Sequence, residues 1–171
     1  MTGQEKEFVS RINENIGIAH KVANVYVDDI DDRDDIFQEM MFQLWKGYGS
    51  FDGRSKFSTW MYRVCLNTAL TFRRKSKNRK TIPLSPVHEE TTTQPDREKQ
   101  ETINYLYKAI GTLSAVNKAI ILLYLEDMSY DEISSITGLS KANVGVRLVR
   151  IKKDLEEKIT NTIKSMDNVN I

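Results

Sequence analysis

All three prolines of this 171-residue chain, Pro83, Pro86 and Pro95, lie inside "TIPLSPVHEETTTQPDREKQ", residues 81–100. Proline lacks an amide N–H and its ring clashes with the preceding helical turn, at a cost of about 3 kcal/mol in a helix interior. The same stretch is poor in large apolar residues and rich in Thr and Glu, the composition of a linker. The chain therefore reads as an N-terminal unit, residues 1–80, a flexible linker, 81–99, and a C-terminal unit, 100–171. Each unit is near the size at which a single core is only marginally sufficient, so a partner surface helps either one.

Within both units the apolar residues recur at helical spacing, and no alternating stretch with hairpin turn signals argues for a sheet. Phe8, Ile12, Ile16, Ala19, Ala23 and Tyr26 predict one long amphipathic helix. The acidic run "DDIDDRDD", 28–35, breaks it, and its later aspartates favour the positive end of a helix that runs from about Asp34 to Tyr48. That helix buries Ile36, Phe37, Met40, Met41, Leu44 and Trp45 in this reading. After the turn-rich "GSFDGRS" comes a third helix, with Phe57, Trp60, Met61, Val64 and Thr68 as core. Beyond the linker, "INYLYKAIGTL" and "SAVNKAIILLYLE" read as two helices, followed by a short one in "SYDEISSITG" and a long one reaching toward Lys164. The fold class is all-α: two small helical domains on a flexible linker, the C-terminal one a helix-turn-helix.

The last assignment rests on local chemistry. Ser129 and Glu132 are spaced as a capping box, and Gly138 stands where a helix ends in left-handed geometry. Only Thr137, Gly138 and Leu139 separate the two helices, Ser134 offers a small side chain at their crossing, and Ser140 caps the second. Val144, Leu148, Ile151 and Leu155 form its inner seam, which turns Lys141, Asn143, Arg147 and Arg150 outward, toward the phosphates and base edges of a major groove. The alternative is a pair of capped surface helices with a solvated basic face; the agreement of glycine, small residue, caps and anchor in one register favours DNA.

The formal charge of +1 conceals a reversal within the N-terminal unit. Residues 1–45 hold 4 Lys/Arg against 10 Asp/Glu, whereas 46–80 hold 10 against 1. Arg63, Asn67, Thr71 and Arg74 share one face of the third helix, with Arg73, Lys75, Lys77, Arg79 and Lys80 behind them and Phe51, Arg54 and Lys56 in the preceding loop. Positive charge neutralises phosphates and aromatic rings stack on unpaired bases, a combination that suits separated strands. Phe57 and Trp60 read as core, Phe51 and Tyr62 are undecided, and a basic tail beside a linker also fits a merely solvated segment. On the second helix, Asp35, Gln38, Glu39 and Phe42 form an acidic strip around an exposed aromatic. It suits a basic helical partner, and equally an ordinary solvated face.

Several classes are disfavoured. Cys65 is the only cysteine, so no internal disulfide forms, and neither His20 nor His88 sits at metal-ligand spacing, so no metal or cofactor is expected. The longest apolar run, Ala119 to Leu125, is far short of the roughly 18–20 residues of a membrane span, and no signal-like stretch follows Met1; a cytoplasmic protein is expected. No phosphate-cradling glycine loop or nucleophile with a base at recognisable spacing points to an enzyme.

Taken in order, "DDIFQEMMFQLWKGYGSFDGRSKFSTWMYRVCLNTALTFRRK" and "LSAVNKAIILLYLEDMSYDEISSITGLSKANVGVRLVRIKKDL" resemble the two conserved regions of bacterial sigma factors of the extracytoplasmic-function (ECF) group. The resemblance covers most of the chain outside the linker and the ends. It implies a promoter-specificity subunit of RNA polymerase that reads the minus-thirty-five element as duplex and opens the minus-ten element. It assigns docking on the β′ clamp helices to Asp35, Gln38, Glu39 and Phe42, minus-ten contacts to Phe51, Arg54, Lys56, Arg63, Asn67 and Arg74, and minus-thirty-five contacts to Ser140, Lys141, Asn143, Arg147 and Arg150. The polymerase β flap, promoter DNA and an anti-sigma factor are the other implied partners. Two departures stand out: Gly145 and Val146 replace a polar or basic pair usual on the recognition helix, and Lys56 replaces a small capping residue, leaving Ser55 as the candidate cap. The competing expectation is a helix-turn-helix regulator that works without polymerase.

Overall fold

The structure, a computed structural model, describes residues 2–76 and 97–167, with side chains at 2–75 and 103–165. Among these residues there are seven helices and no strand, in two units on either side of the proline-bearing stretch. Most of the predicted linker, 81–99, and the basic residues Lys77, Arg79 and Lys80 lie outside the described residues.

In the first unit, α1 (Gly3–Tyr26), α2 (Ile30–Tyr48) and α3 (Phe57–Ser76) pack each against the other two. A capping box starts α1: the Thr2 hydroxyl accepts from the Glu5 N–H at 3.3 Å, and the Glu5 carboxylate accepts from the Thr2 N–H. The α2 helix begins one turn earlier than the periodicity suggests. Asp29 caps it, accepting from the Asp31 and Asp32 N–H groups at 2.9 and 3.1 Å, so the acidic run is the first turn of the helix rather than a break before it.

The buried faces also differ from the predicted ones. On α2 the seam is narrow, Ile36, Met40, Leu44 and Tyr48, while Phe37 and Met41 are half-buried and Trp45 is 46% exposed. On α3 it is wide: Met61, Tyr62, Cys65, Leu66 and Ala69 are buried with Phe57, Thr59 and Thr68, whereas Trp60 and Val64 are half-buried. The helix lies against both neighbours, so its apolar stripe spans more than one seam, and Tyr62 belongs to the core. Phe8, Tyr48, Phe51, Phe57 and Trp60 form a chain of ring contacts with centroids 5.0 to 6.4 Å apart. Gly47 lets that cluster close, since a Cβ there meets the Trp60 ring at 3.3 Å.

In the second unit, α4 (Arg97–Gly111) starts inside the segment read as linker and packs on α5 (Ala115–Leu125) and α7 (Lys141–Asp167). Between them α6 (Tyr130–Thr137) packs on both α5 and α7. Ile110, Ile120, Leu123, Ile133, Val144, Leu148 and Ile151 are buried at this core, so the predicted inner seam of the last helix holds. No described helix is long and apolar enough to cross a membrane.

Candidate nucleic-acid interface

The α6–α7 turn has the chemistry its sequence suggests. Ser129 Oγ accepts from the Glu132 N–H at 3.2 Å, and the Glu132 carboxylate accepts from the Ser129 N–H at 2.9 Å. Gly138 takes φ 75° and ψ 6°, the left-handed geometry that costs a residue with a Cβ roughly 1–2 kcal/mol, and its N–H donates to the Ser134 carbonyl. The Ser134 hydroxyl in turn donates to the Leu139 carbonyl, so the small residue pins the turn as well as sparing space. Ser140 Oγ accepts from the Asn143 N–H at 3.3 Å, which opens α7.

These constraints present Asn143 and Arg150, both exposed, and the half-buried Arg147 along one side of α7. With Val146, and with Asn117 from α5, they line a concavity of about 290 Å³. Arg147 donates to the Asn117 side-chain oxygen at 3.0 Å, a partner that sequence spacing gave no means of finding. Lys141 pairs with Asp131 of α6 at 2.7 Å; both are well exposed, and such pairs contribute about 0–1 kcal/mol, so the lysine is easily drawn to a phosphate. Gly145 does not face this concavity. A Cβ placed on it meets the Tyr130 ring at 3.5 Å, so the departure from the usual pair leaves only Val146 on the outer side.

In the first unit, Arg63, Asn67, Thr71 and Arg74 are all exposed on α3, as the four- and three-residue steps predict. Arg54 and Lys56 are exposed in the loop before it. The turn there is set by Gly53 at φ 72° and by Asp52, whose carboxylate accepts from the Arg54 N–H at 3.1 Å and also pairs with the Arg54 guanidinium. The Arg54 N–H, followed by the guanidinium, holds the Asp52 carboxyl below its ordinary range. Phe51 is less available than the resemblance implies: it is half-buried, its ring packs against Phe57 and Trp60, and the Arg11 guanidinium sits 5.8 Å from its centroid. Arg11 is itself held by Glu7 at 2.9 Å, one turn back on α1, a contribution that the sequence reading missed. Since α3 starts at Phe57 and the Lys56 carbonyl accepts from the Trp60 N–H, Lys56 rather than Ser55 occupies the position just before the helix.

The acidic strip is where periodicity puts it. Asp35, Gln38, Glu39 and Phe42 are exposed on α2, with Phe42 at 56% and Trp45 next to it along the same helix. An exposed aromatic pair bordered by carboxylates is a surface suited to a partner rather than to water alone.

Comparison with known proteins identifies the family. The model of Sigma-70 region 2 matches residues 12–79, and that of Sigma-70 region 4 matches residues 103–155. The chain belongs to the sigma-70 family. Within the family it is of the ECF group. The sigma factor is 28% identical over 142 residues to RNA polymerase sigma factor SigV of Bacillus subtilis, covering 82% of this chain and 84% of that protein. It is 26% identical over 160 residues to the ECF RNA polymerase sigma-E factor of Escherichia coli K12, covering 85% and 84%. In fold it is similar to the sigma factor RpoE solved in complex with the anti-sigma factor NepR from Bartonella quintana, with a TM-score of 0.72 at 21% identity over 91% of this chain and 98% of that one. It is also similar to CnrH in complex with the cytosolic domain of CnrY, with a TM-score of 0.66 at 19% identity over 93% and 91%. The α1–α3 bundle of the sigma factor thus falls in region 2 and its helix-turn-helix in region 4.

Proposed function

We propose that this sigma factor binds core RNA polymerase and divides promoter recognition between its units, residues 1–80 opening the minus-ten element and 100–171 reading the minus-thirty-five element as duplex. The segregation of charge carries this reading: an acidic strip on α2 and a basic face on α3 occupy one small helical bundle. One partner does not explain both signs, whereas a protein partner and a nucleic acid together do.

The docking surface for the β′ clamp helices is Asp35, Gln38, Glu39 and Phe42. Arg54, Lys56, Arg63, Asn67 and Arg74 meet the separated strand, with Phe51 contributing one ring edge beside Arg11. Ser140, Lys141, Asn143, Arg147 and Arg150 meet the upstream duplex, and the second unit also engages the β flap. The role is regulatory and not enzymatic, it is exercised in the cytoplasm, and an anti-sigma factor covers these surfaces in the inactive state. The complexes of the RpoE and CnrH relatives support that last assignment.

In-vitro transcription with purified core polymerase and a genomic promoter library tests the reading. Transcripts from a defined set of start sites, absent with core alone, are expected. Site-specific duplex binding by the free chain, with no effect on start-site choice, would instead identify a regulator that works without polymerase.

A further inference from the structure

The outward side of α7 carries a residue that neither charge nor hydrogen bonding explains. Val146 is 52% exposed, whereas Val144, Leu148 and Ile151 of the same helix are buried; Val149 is more exposed still, at 71%, but does not line the concavity that Val146 shares with the polar residues of α7. At about 100° per residue, Val146 lies about 200° around the helix from Val144, diametrically away from the core and therefore at the part of the helix that enters a groove deepest. It lines the same concavity as Asn143, Arg147 and Arg150. Its sequence neighbour Gly145 is turned to the Tyr130 ring, and Arg147 is engaged with Asn117. An aliphatic side chain thus stands between the polar groups facing the DNA.

In the major groove only thymine displays a methyl group, and apolar contact with it is the one base-specific interaction open to an aliphatic side chain. Resting on the promoter-binding reading above, we propose that Val146 is a specificity-determining residue that selects a thymine in the upstream element through its C5-methyl group. Asn143, three residues earlier, is displaced by about 4.5 Å along the helix axis, a little more than the roughly 3.4 Å step between base pairs. The thymine therefore lies within about two base pairs of the position read by Asn143.

The test uses holoenzyme assembled from core polymerase and the full chain. It selects an upstream element from a randomised duplex library, after which each thymine on either strand is replaced singly by deoxyuridine, a change that removes only the methyl. One replacement is expected to weaken binding about three- to fivefold, the effect of one buried methyl. That position should fall within two base pairs of the one whose preference changes in Asn143→Ala. Val146→Ala should abolish the thymine-over-uracil preference there, leaving the affinity for core unchanged. An element without thymine, uniform tolerance of deoxyuridine, or a preference that survives in Val146→Ala overturns the assignment while leaving the promoter-binding reading in place. Failure to select any element overturns the promoter-binding reading and the thymine assignment with it.

Discussion

Arg147 of α7 donates a 3.0 Å hydrogen bond to the side-chain oxygen of Asn117 in α5, a residue thirty positions earlier in the chain. Asn117 is held in turn by the cap of its own helix, where its N–H donates to Ser114 Oγ at 3.4 Å. The bond uses one arm of a guanidinium with five N–H donors, so the others remain for phosphate or base. A side chain already fixed in one orientation loses less entropy on meeting DNA.

Asn117→Ala is accordingly expected to weaken holoenzyme binding to the upstream duplex about three- to tenfold, because the unmoored Arg147 must be ordered at that point. Arg147→Ala should lose about 1–3 kcal/mol, and the double variant no more than Arg147→Ala alone. Fluorescence anisotropy at fixed salt measures all three, and additive losses would show that Asn117 acts elsewhere.

The turn between α6 and α7 has separable costs. Ser129→Ala removes a cap and should destabilise the C-terminal unit by about 1 kcal/mol. Gly138→Ala forces a Cβ into left-handed backbone and should cost about 1–2 kcal/mol. Denaturant melts of the full chain followed by circular dichroism check both. A Gly138→Ala variant as stable as the parent would mean that the turn relaxes to another geometry.

The two charged surfaces of the first unit should fail in different assays. Arg63→Ala and Asn67→Ala alter the exposed face of α3 and are expected to slow strand opening, read by permanganate footprinting, with core affinity within about twofold of the parent, in line with the small effects of surface substitutions. Charge reversal at Asp35 and Glu39 together should weaken core binding at least about tenfold at low salt and less as salt screens the surface. Unchanged core affinity in the double reversal would sink the docking role of α2.

Cys65 offers a probe of folding. It is fully buried, and desolvation pushes its thiol up to about 12, so at pH 8 it is a neutral thiol without access to reagent. Alkylation by iodoacetamide is expected only as fast as the first unit opens, and denaturant should accelerate it in parallel with unfolding. Rapid modification of the native protein would contradict a core built around α3.

Much of the second unit was legible because its signals are local. The Ser129–Glu132 box and the Ser140 cap each satisfy donors within three residues, and Gly138 bonds back to Ser134 within the same turn, so residue type and spacing suffice to place them. The α2 start was missed for a related reason. An aspartate run fits both a break and a first turn, and only the bonds from Asp31 and Asp32 to Asp29 distinguish them.

The first unit was harder to read at the level of faces. A period of about 3.6 residues locates an apolar stripe to within a neighbouring position, but its breadth depends on how many helices lie against it. Thus Trp45 on α2 stays 46% exposed with its ring against Phe8, while Tyr62 on α3 is fully covered. Phe51 could not be assigned from its loop, because Arg11 and Trp60, which engage it, come from two different helices.

The amino-acid order alone determined the helical class, the division at the prolines, the helix-turn-helix and the reversal of charge, since each follows from interactions within a few residues or from composition. Tertiary packing alone decided that Arg147 leans on Asn117, that Gly145 turns inward to Tyr130, and that Val146 rather than the more exposed Val149 joins Asn143 and Arg150 at the concavity. Those outcomes join residues distant in sequence. They depend on how helix surfaces meet, which the spacing within any one helix does not specify.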